Sequence, residues 1–143
     1  MGTNFKKPKK VSKKTSNYQQ QPQVMTKKQR KEAMWTEVDR LEKKIPYMWT
    51  EFSQRIALYN LDNPENKITD DFLIKVVKQG EKMDLKKDVN FVTNLNTNNS
   101  ETNYKSLKNL MGKELFSEVI GCGISWGYFA KLYQSIYEKK FFG

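Results

Sequence analysis

Histidine is absent from this 143-residue sequence, and cysteine occurs once, as Cys122. Without histidine the chain lacks the commonest transition-metal ligand and the usual general base of enzymes at neutral pH. A single cysteine cannot form a disulfide within the chain. We therefore expect no zinc site of the Cys/His type, no metal or other cofactor, no small-molecule substrate and no catalytic activity.

Long apolar segments are also missing. The longest uncharged apolar run, from Val119 to Ala130, has 12 residues, whereas a helix needs roughly 20 apolar residues to cross a bilayer. No apolar stretch follows the N-terminal lysines as it would in a secretory signal, and Lys6 stands where a myristoylation signal has Ser or Thr. We expect no transmembrane segment and a protein that acts inside a cell or is assembled there.

Acidic residues are missing from one end of the chain. Residues 1–31 hold 10 of the 26 lysines and arginines and none of the 16 aspartates and glutamates. The other 16 basic residues are matched by the 16 acids, so residues 32–143 are neutral overall. We call residues 1–31 the basic segment and residues 32–143 the neutral body. This asymmetry predicts that the basic segment meets a polyanion, most simply nucleic acid, while the body has another role.

The predicted nucleic-acid contacts are the cationic side chains of the basic segment. They are Lys6, Lys7, Lys9, Lys10, Lys13, Lys14, Lys27, Lys28, Arg30 and Lys31. Lysines bind phosphates as point charges and gain affinity mainly from the release of condensed counterions, which gives no base specificity. A solubilising tail or a nuclear localisation signal is the alternative interpretation of the lysine pairs. The four cations from Lys27 to Lys31 either bind a phosphate at a helix N-terminus or form a solvated helix end.

Composition also separates an arm from a domain. Residues 1–25 contain lysine pairs, Pro8, Pro22 and a glutamine run, and they have too few apolar residues to offset the entropy of ordering the backbone. We predict a disordered basic arm over residues 1–25 and a single, mainly α-helical domain over residues 26–143. About four to five helices are expected, together with one short extended segment as an option between Asp88 and Leu95.

Apolar residues at steps of three and four place these helices. The first begins at Thr26, which has capping-box spacing with Gln29. Its stripe continues past Pro46, which predicts either a kink or, as we favour, the first turn of a second helix. Thr69 is expected to cap the next helix, which ends near Gly80.

The C-terminal half is predicted to hold a loop and two helices. The asparagine-rich stretch from Asn94 to Asn103 is typical of a loop. Ser100 is a candidate cap for a helix that runs to the glycines at 121 and 123, and a last helix begins near Ser125. Those glycines predict a tight corner, with Gly127 allowing close backbone approach, rather than a phosphate-binding loop.

Aromatic residues are numerous for so small a domain. They include Trp35, Tyr47, Trp49, Tyr59, Trp126, Tyr128, Tyr133, Tyr137, Phe141 and Phe142. Aromatic rings among basic residues can stack on unpaired bases, but most of these rings fall on helical stripes, which favours core packing. Phe141 and Phe142 follow Lys139 and Lys140 at the C-terminus and are candidates for docking on a neighbouring subunit, or else on the chain's own core.

Taken together, the lysine-rich, acid-free segment, the small neutral helical body and the aromatic C-terminus resemble small accessory virion proteins of podoviruses. The 23 lysines against 3 arginines, with 12 asparagines, suit the AT-rich coding sequences of such phages of Gram-positive hosts. The resemblance is one of overall make-up and matches no family motif. It implies a structural protein inside the capsid, with nucleic acid and capsid or self subunits as partners, located in the virion interior or the host cytoplasm. If the host is eukaryotic, the lysine pairs read as a nuclear localisation signal would place the protein in the nucleus instead.

Two other functions remain open from the sequence. One is a sequence-guided DNA- or RNA-binding regulator or genome-packaging factor that inserts the helix from Lys27 to Arg40 into a groove. The other is an adaptor whose basic segment binds an acidic protein or a membrane surface.

Overall fold

The computed structural model describes residues 24–83 and 100–142. These residues form six α-helices and, within the described ranges, no strand. The helices are α1 (Lys27–Lys44), α2 (Thr50–Asp62), α3 (Asp70–Glu81), α4 (Ser100–Met111), α5 (Lys113–Gly121) and α6 (Trp126–Phe142). The mainly helical fold class is confirmed, with one helix more than expected. Residues 1–23 of the arm predicted over residues 1–25, and the extended segment predicted over residues 88–95, lie outside the described residues.

Inter-residue contacts divide the chain into one unit that ends at Arg30 and another that begins at Lys31. In the first unit, the Thr26 amide donates to Oε1 of Gln29 at 3.0 Å, and the Gln29 amide donates to Oγ1 of Thr26 at 3.1 Å. Both halves of the predicted capping box are therefore formed. Each satisfies an amide that would otherwise lack a partner in the first turn of α1.

The proline break separates two helices, as favoured from the sequence. α1 ends at Lys44 and α2 begins at Thr50, so Pro46 lies in the connecting turn and not in the first turn of α2. The next residue, Tyr47, has a φ of 70°. Residues other than glycine rarely adopt this left-handed backbone conformation, which lies in the turn between the two helices.

The predictions for the C-terminal half need two corrections. The single helix expected from Ser100 to Gly121 is divided at Gly112, whose φ of 87° and ψ of 155° are open essentially to glycine alone. This glycine accounts for the additional helix. The loop expected to reach Asn103 ends earlier, because α4 begins at Ser100 and Asn103 is buried within it.

Side-chain hydrogen bonds also mark the start of α3, at the predicted cap Thr69, and the start of α6, which was expected near Ser125. Oγ1 of Thr69 accepts a hydrogen bond from the Phe72 amide at 3.1 Å, which caps α3. Oγ of Ser125 accepts from the Gly127 amide at 3.3 Å, just before α6. Local sequence signals therefore set these two boundaries.

The core lies where α3 packs against α6. Phe129, Leu132 and Ile136 of α6 are fully buried and belong to the same apolar core as Val76 of α3. The Tyr133 hydroxyl, also buried, donates to the Val76 carbonyl at 3.1 Å. Burial raises the pKa of Tyr133 above its ordinary value, so the phenol stays protonated and keeps this hydrogen bond.

Candidate nucleic-acid interface

The described part of the predicted interface is the first turn of α1. Lys27, Lys28 and Lys31 are exposed, and Arg30 is half-buried. Within the described ranges no carboxylate pairs with any of the three lysines. The turn holds no acidic residue, so the positive end of the helix dipole faces like charge, which costs about 0.3 kcal/mol or more. A bound phosphate would reverse the sign of this interaction.

The other six predicted contacts, from Lys6 to Lys14, lie outside the described residues. The structure therefore places four of the ten cations at one helix start and does not test the role of any of them. Their assignment to nucleic acid stays a prediction.

Basic residues of the neutral body behave differently from these lysines, as Arg40 shows. Its guanidinium donates to Glu37 from Nε at 2.8 Å and from Nη2 at 2.6 Å. It also donates to Asp70 from Nη1 at 2.7 Å and from Nη2 at 2.9 Å. Such two-point pairs are the strongest form of ion pair. Arg40 is consequently paired with two carboxylates, and any contact with a base would have to compete with them.

Asp70 is the centre of this cluster. Its carboxylate binds Arg40 and also forms an ion pair with Nζ of Lys44 at 2.9 Å. Hydrogen bonds from Arg40 and then Lys44 hold the pKa of Asp70 well below its usual range and outweigh the opposing effect of burial. The cluster joins the C-terminal half of α1 to the start of α3.

Three further ion pairs neutralise charge on the body surface. Lys43 lies 3.0 Å from Asp39, Lys75 lies 3.2 Å from Glu118, and Lys105 lies 4.0 Å from Glu101. Exposed pairs of this kind add little stability. They do show that basic and acidic side chains of the body lie next to one another on its surface, in addition to being equal in number along the sequence.

Most of the aromatic residues belong to the core, as favoured from the sequence. Phe52 stacks on Trp49 and Tyr128 at centroid distances of 4.9 and 5.9 Å and meets Phe129 edge to face at 5.2 Å. Arg55 covers the Tyr128 ring at 5.6 Å. The exceptions among the described residues are Trp35 and Tyr104, whose exposed fractions are 44% and 37%.

Tyr104 belongs to a surface site that the sequence did not reveal. Its ring stands at 86° to Trp126, with centroids 5.7 Å apart, and at 85° to Phe116, with centroids 4.8 Å apart. The cavity beside Tyr104 and Trp126 has a volume of about 550 Å³, and Glu101, Lys105 and Lys108 complete its lining. We call these five lining residues the α4–α6 corner. The spacing from Glu101 to Lys108 places four of them on one face of α4, but no sequence signal connects that face to Trp126.

The glycine corner between α5 and α6 is confirmed, but a different glycine makes the close approach. Gly123 has a φ of 78°, and a Cβ there would lie 2.5 Å from the Tyr59 ring. A Cβ at Gly127 would meet only Oγ of Ser125, at an ordinary 3.5 Å. Gly123 therefore does what was expected of Gly127.

Cys122 lies between α5 and α6, beside a cavity of about 370 Å³ that Lys67 and Glu118 also line. Its thiol is half-buried and donates to the Val119 carbonyl at 3.0 Å. Burial raises the pKa of the Cys122 thiol, which opposes formation of a nucleophilic thiolate. The environment suits a packing residue better than a catalytic one.

Phe141 and Phe142 close α6, and their side chains lie outside what the structure describes. The preceding Lys140 donates from Nζ to the carbonyls of Glu81 at 2.6 Å and Met83 at 3.1 Å. These bonds hold the end of α6 against the end of α3. The docking role of the two phenylalanines stays a prediction.

No group of three or more Cys, Asp or Glu residues among the described residues could hold a metal ion. None of the helices in the described ranges is long and apolar enough to cross a membrane. Comparisons of the chain with known protein families, curated proteins and solved structures found no match.

Proposed function

We propose that this protein is a non-catalytic structural protein that contacts nucleic acid without sequence preference, through the phosphates, and that it acts inside a virus particle. The observation that carries the proposal is the separation of charge along the chain. Ten cations without one acid precede a body in which 16 basic residues match 16 acidic ones. A segment of this kind neutralises phosphates and leaves the body free for other contacts.

The first turn of α1 supports the phosphate part of the proposal. Lys27, Lys28 and Lys31 are exposed at a helix start, where backbone amides also point outward. A phosphate at this end would receive lysine charge and, because Thr26 already accepts from the Gln29 amide, hydrogen bonds only from amides that the capping box leaves free. Contacts of this type fix position on a nucleic acid and carry no information about its sequence.

The particle part of the proposal depends on what the neutral body binds. Once nucleic acid has neutralised the basic segment, the body with its zero net charge does not repel copies of itself, and neutrality favours association. The partners are then capsid or self subunits, with Phe141 and Phe142 as docking residues. Replacing both phenylalanines by serine should reduce the assembly size seen in sedimentation velocity without loss of nucleic-acid binding.

The direct test replaces Lys6, Lys7, Lys9, Lys10, Lys13 and Lys14 by glutamine in the full-length chain. The wild type should bind several unrelated DNA duplexes with nearly equal affinity and should bind them more tightly than polyglutamate of equal charge. The variant should bind all the duplexes much more weakly, because six counterion-releasing contacts are lost. Affinity is measured by fluorescence anisotropy at one fixed salt concentration.

Two results would contradict the proposal and favour the other functions. A large affinity ratio between one duplex and random sequence would indicate a sequence-guided regulator or packaging factor. Equal affinity for polyglutamate and DNA would indicate an adaptor for acidic surfaces. The engagement of Arg40 with Glu37 and Asp70 weighs against the regulator, since that residue lies on the helix that would enter a groove.

A further inference from the structure

The α4–α6 corner combines two exposed or half-buried aromatic rings with lysine side chains. Tyr104 is among the few large apolar side chains that remain exposed in the described body, and Trp126 beside it is only half-buried. Their rings are nearly perpendicular. Two perpendicular rings form an angle in which a third flat ring can stack on one of them and touch the other with its edge.

Packing against the core also holds the two rings of the corner in place. Tyr104 contacts the buried Phe116 edge to face, and Trp126 packs against the core beside it. A ring held by packing on one side loses little conformational freedom when it stacks on a ligand on the other. The cavity of about 550 Å³ falls within the roughly 300–1,000 Å³ of small-ligand sites.

Charge at the corner favours an anionic ligand. Lys105 and Lys108 flank the rings on α4, and both are exposed. Glu101 lies 4.0 Å from Lys105 and offsets its charge. No described carboxylate pairs with Lys108, so its ammonium group is the one in the corner best placed to bind a phosphate.

We infer that an unpaired base of single-stranded nucleic acid stacks on the aromatic pair of the α4–α6 corner while an adjacent phosphate binds Lys108. The inference rests on the proposed function, because the basic segment supplies most of the affinity and brings the strand to the body. Aromatic platforms flanked by lysines bind single strands in this way, and they accept any base because each has a flat face. Paired bases cannot enter, since both faces are already stacked in a duplex.

The test compares Tyr104→Leu with Tyr104→Phe in the full-length chain. Leucine keeps apolar contact with Phe116 but removes the stacking ring, whereas phenylalanine keeps the ring and is the matched control. The probes are a labelled 20-nucleotide oligothymidine, an abasic strand of the same length and a 20-base-pair duplex. Truncation of a stacking aromatic weakens binding by roughly 5- to 150-fold, and we expect about 5- to 10-fold for Tyr104→Leu on oligothymidine.

The abasic strand completes a cycle that isolates the stacking contact. Tyr104→Leu should leave affinity for the abasic strand and for the duplex unchanged, because neither offers an unpaired base. Tyr104→Phe should bind all three probes as the wild type does. Circular dichroism and thermal unfolding establish that each variant is folded.

A second variant tests the phosphate contact without altering the aromatic packing. Lys108→Gln should make the log-log salt dependence of oligothymidine binding shallower by about 0.7, the value for one contact to a single strand. Lys78→Gln removes the same charge from an exposed position on α3 and should leave the salt dependence of oligothymidine binding unchanged.

The possible failures are distinguishable. Suppose that the wild type binds DNA but Tyr104→Leu and Tyr104→Phe have equal affinity for oligothymidine. The stacking site is then wrong and the proposed function stands. The same conclusion follows if Tyr104→Leu lowers the affinity for the abasic strand as much as the affinity for oligothymidine. If the wild type binds neither strands nor duplex, both are wrong.

Discussion

Gly80 is a point of close contact between α3 and α6. A Cβ at this position would lie 2.7 Å from Cδ1 of Ile136 and 3.1 Å from Cε1 of Tyr133. Both neighbours are fully buried, and packed interiors yield little to an added methyl group. The absence of a side chain at Gly80 is thus a requirement of the core, although the sequence showed it only as the end of a helix.

We expect Gly80→Ala to lower the free energy of unfolding by about 1–3 kcal/mol, the usual cost of overpacking a core. Gly121→Ala is the control, since a Cβ there meets nothing within 4 Å. Alanine also favours the helix by up to about 1 kcal/mol, so this variant should be neutral or stabilising. Equal changes in the free energy of unfolding of the two variants, measured by urea denaturation, would contradict the packing account.

At the scale of elements, the ion pairs of Asp70 join α1 to α3. Arg40 and Lys44 approach it from α1, while Asp71, the next residue, has no ion pair in the described part of the chain. The two aspartates share the first turn of α3 and therefore the same helix dipole. Their comparison separates the contribution of the ion pairs from that of the dipole.

Asp70→Asn should destabilise the protein more than Asp71→Asn by about 1 kcal/mol at pH 7, a value kept low because Arg40 and Lys44 are largely solvent-exposed. Since the pKa of Asp70 is depressed in the folded state, its contribution is fully present above the unfolded pKa of about 3.9 and is lost as the pH falls further. The difference between the variants should shrink below about pH 4 in urea denaturation. A difference that persists undiminished at pH 2 would exclude the ionised carboxylate as its source.

Sequence predicted those features of the elements that depend on neighbouring residues. The caps at Thr26 and Thr69 need only a hydroxyl and amides three residues ahead, so spacing alone revealed them. Gly112 interrupts a continuous apolar stripe because it has a positive φ. This backbone conformation depends on where α5 packs, which the local sequence does not specify. The contact between Tyr104 and Trp126 joins two helices separated by a third, and no local pattern encodes it.

For the whole molecule, charge is divided along the chain. The basic segment supplies all of the net charge of +10. Within the body, carboxylates meet basic side chains at several places on the surface. This arrangement suits a protein whose long-range attraction to a polyanion and whose short-range contacts with other molecules are carried by different residues.

The salt dependence of DNA binding tests this division most directly. If all ten cations of the basic segment contact phosphates, the slope of log Kobs against log salt for a random duplex approaches roughly −9. Glutamine at the six lysines from Lys6 to Lys14 should make the slope shallower by about 5. A slope near zero for the wild type, or an unchanged slope for the variant, would contradict the claim that the basic segment binds nucleic acid.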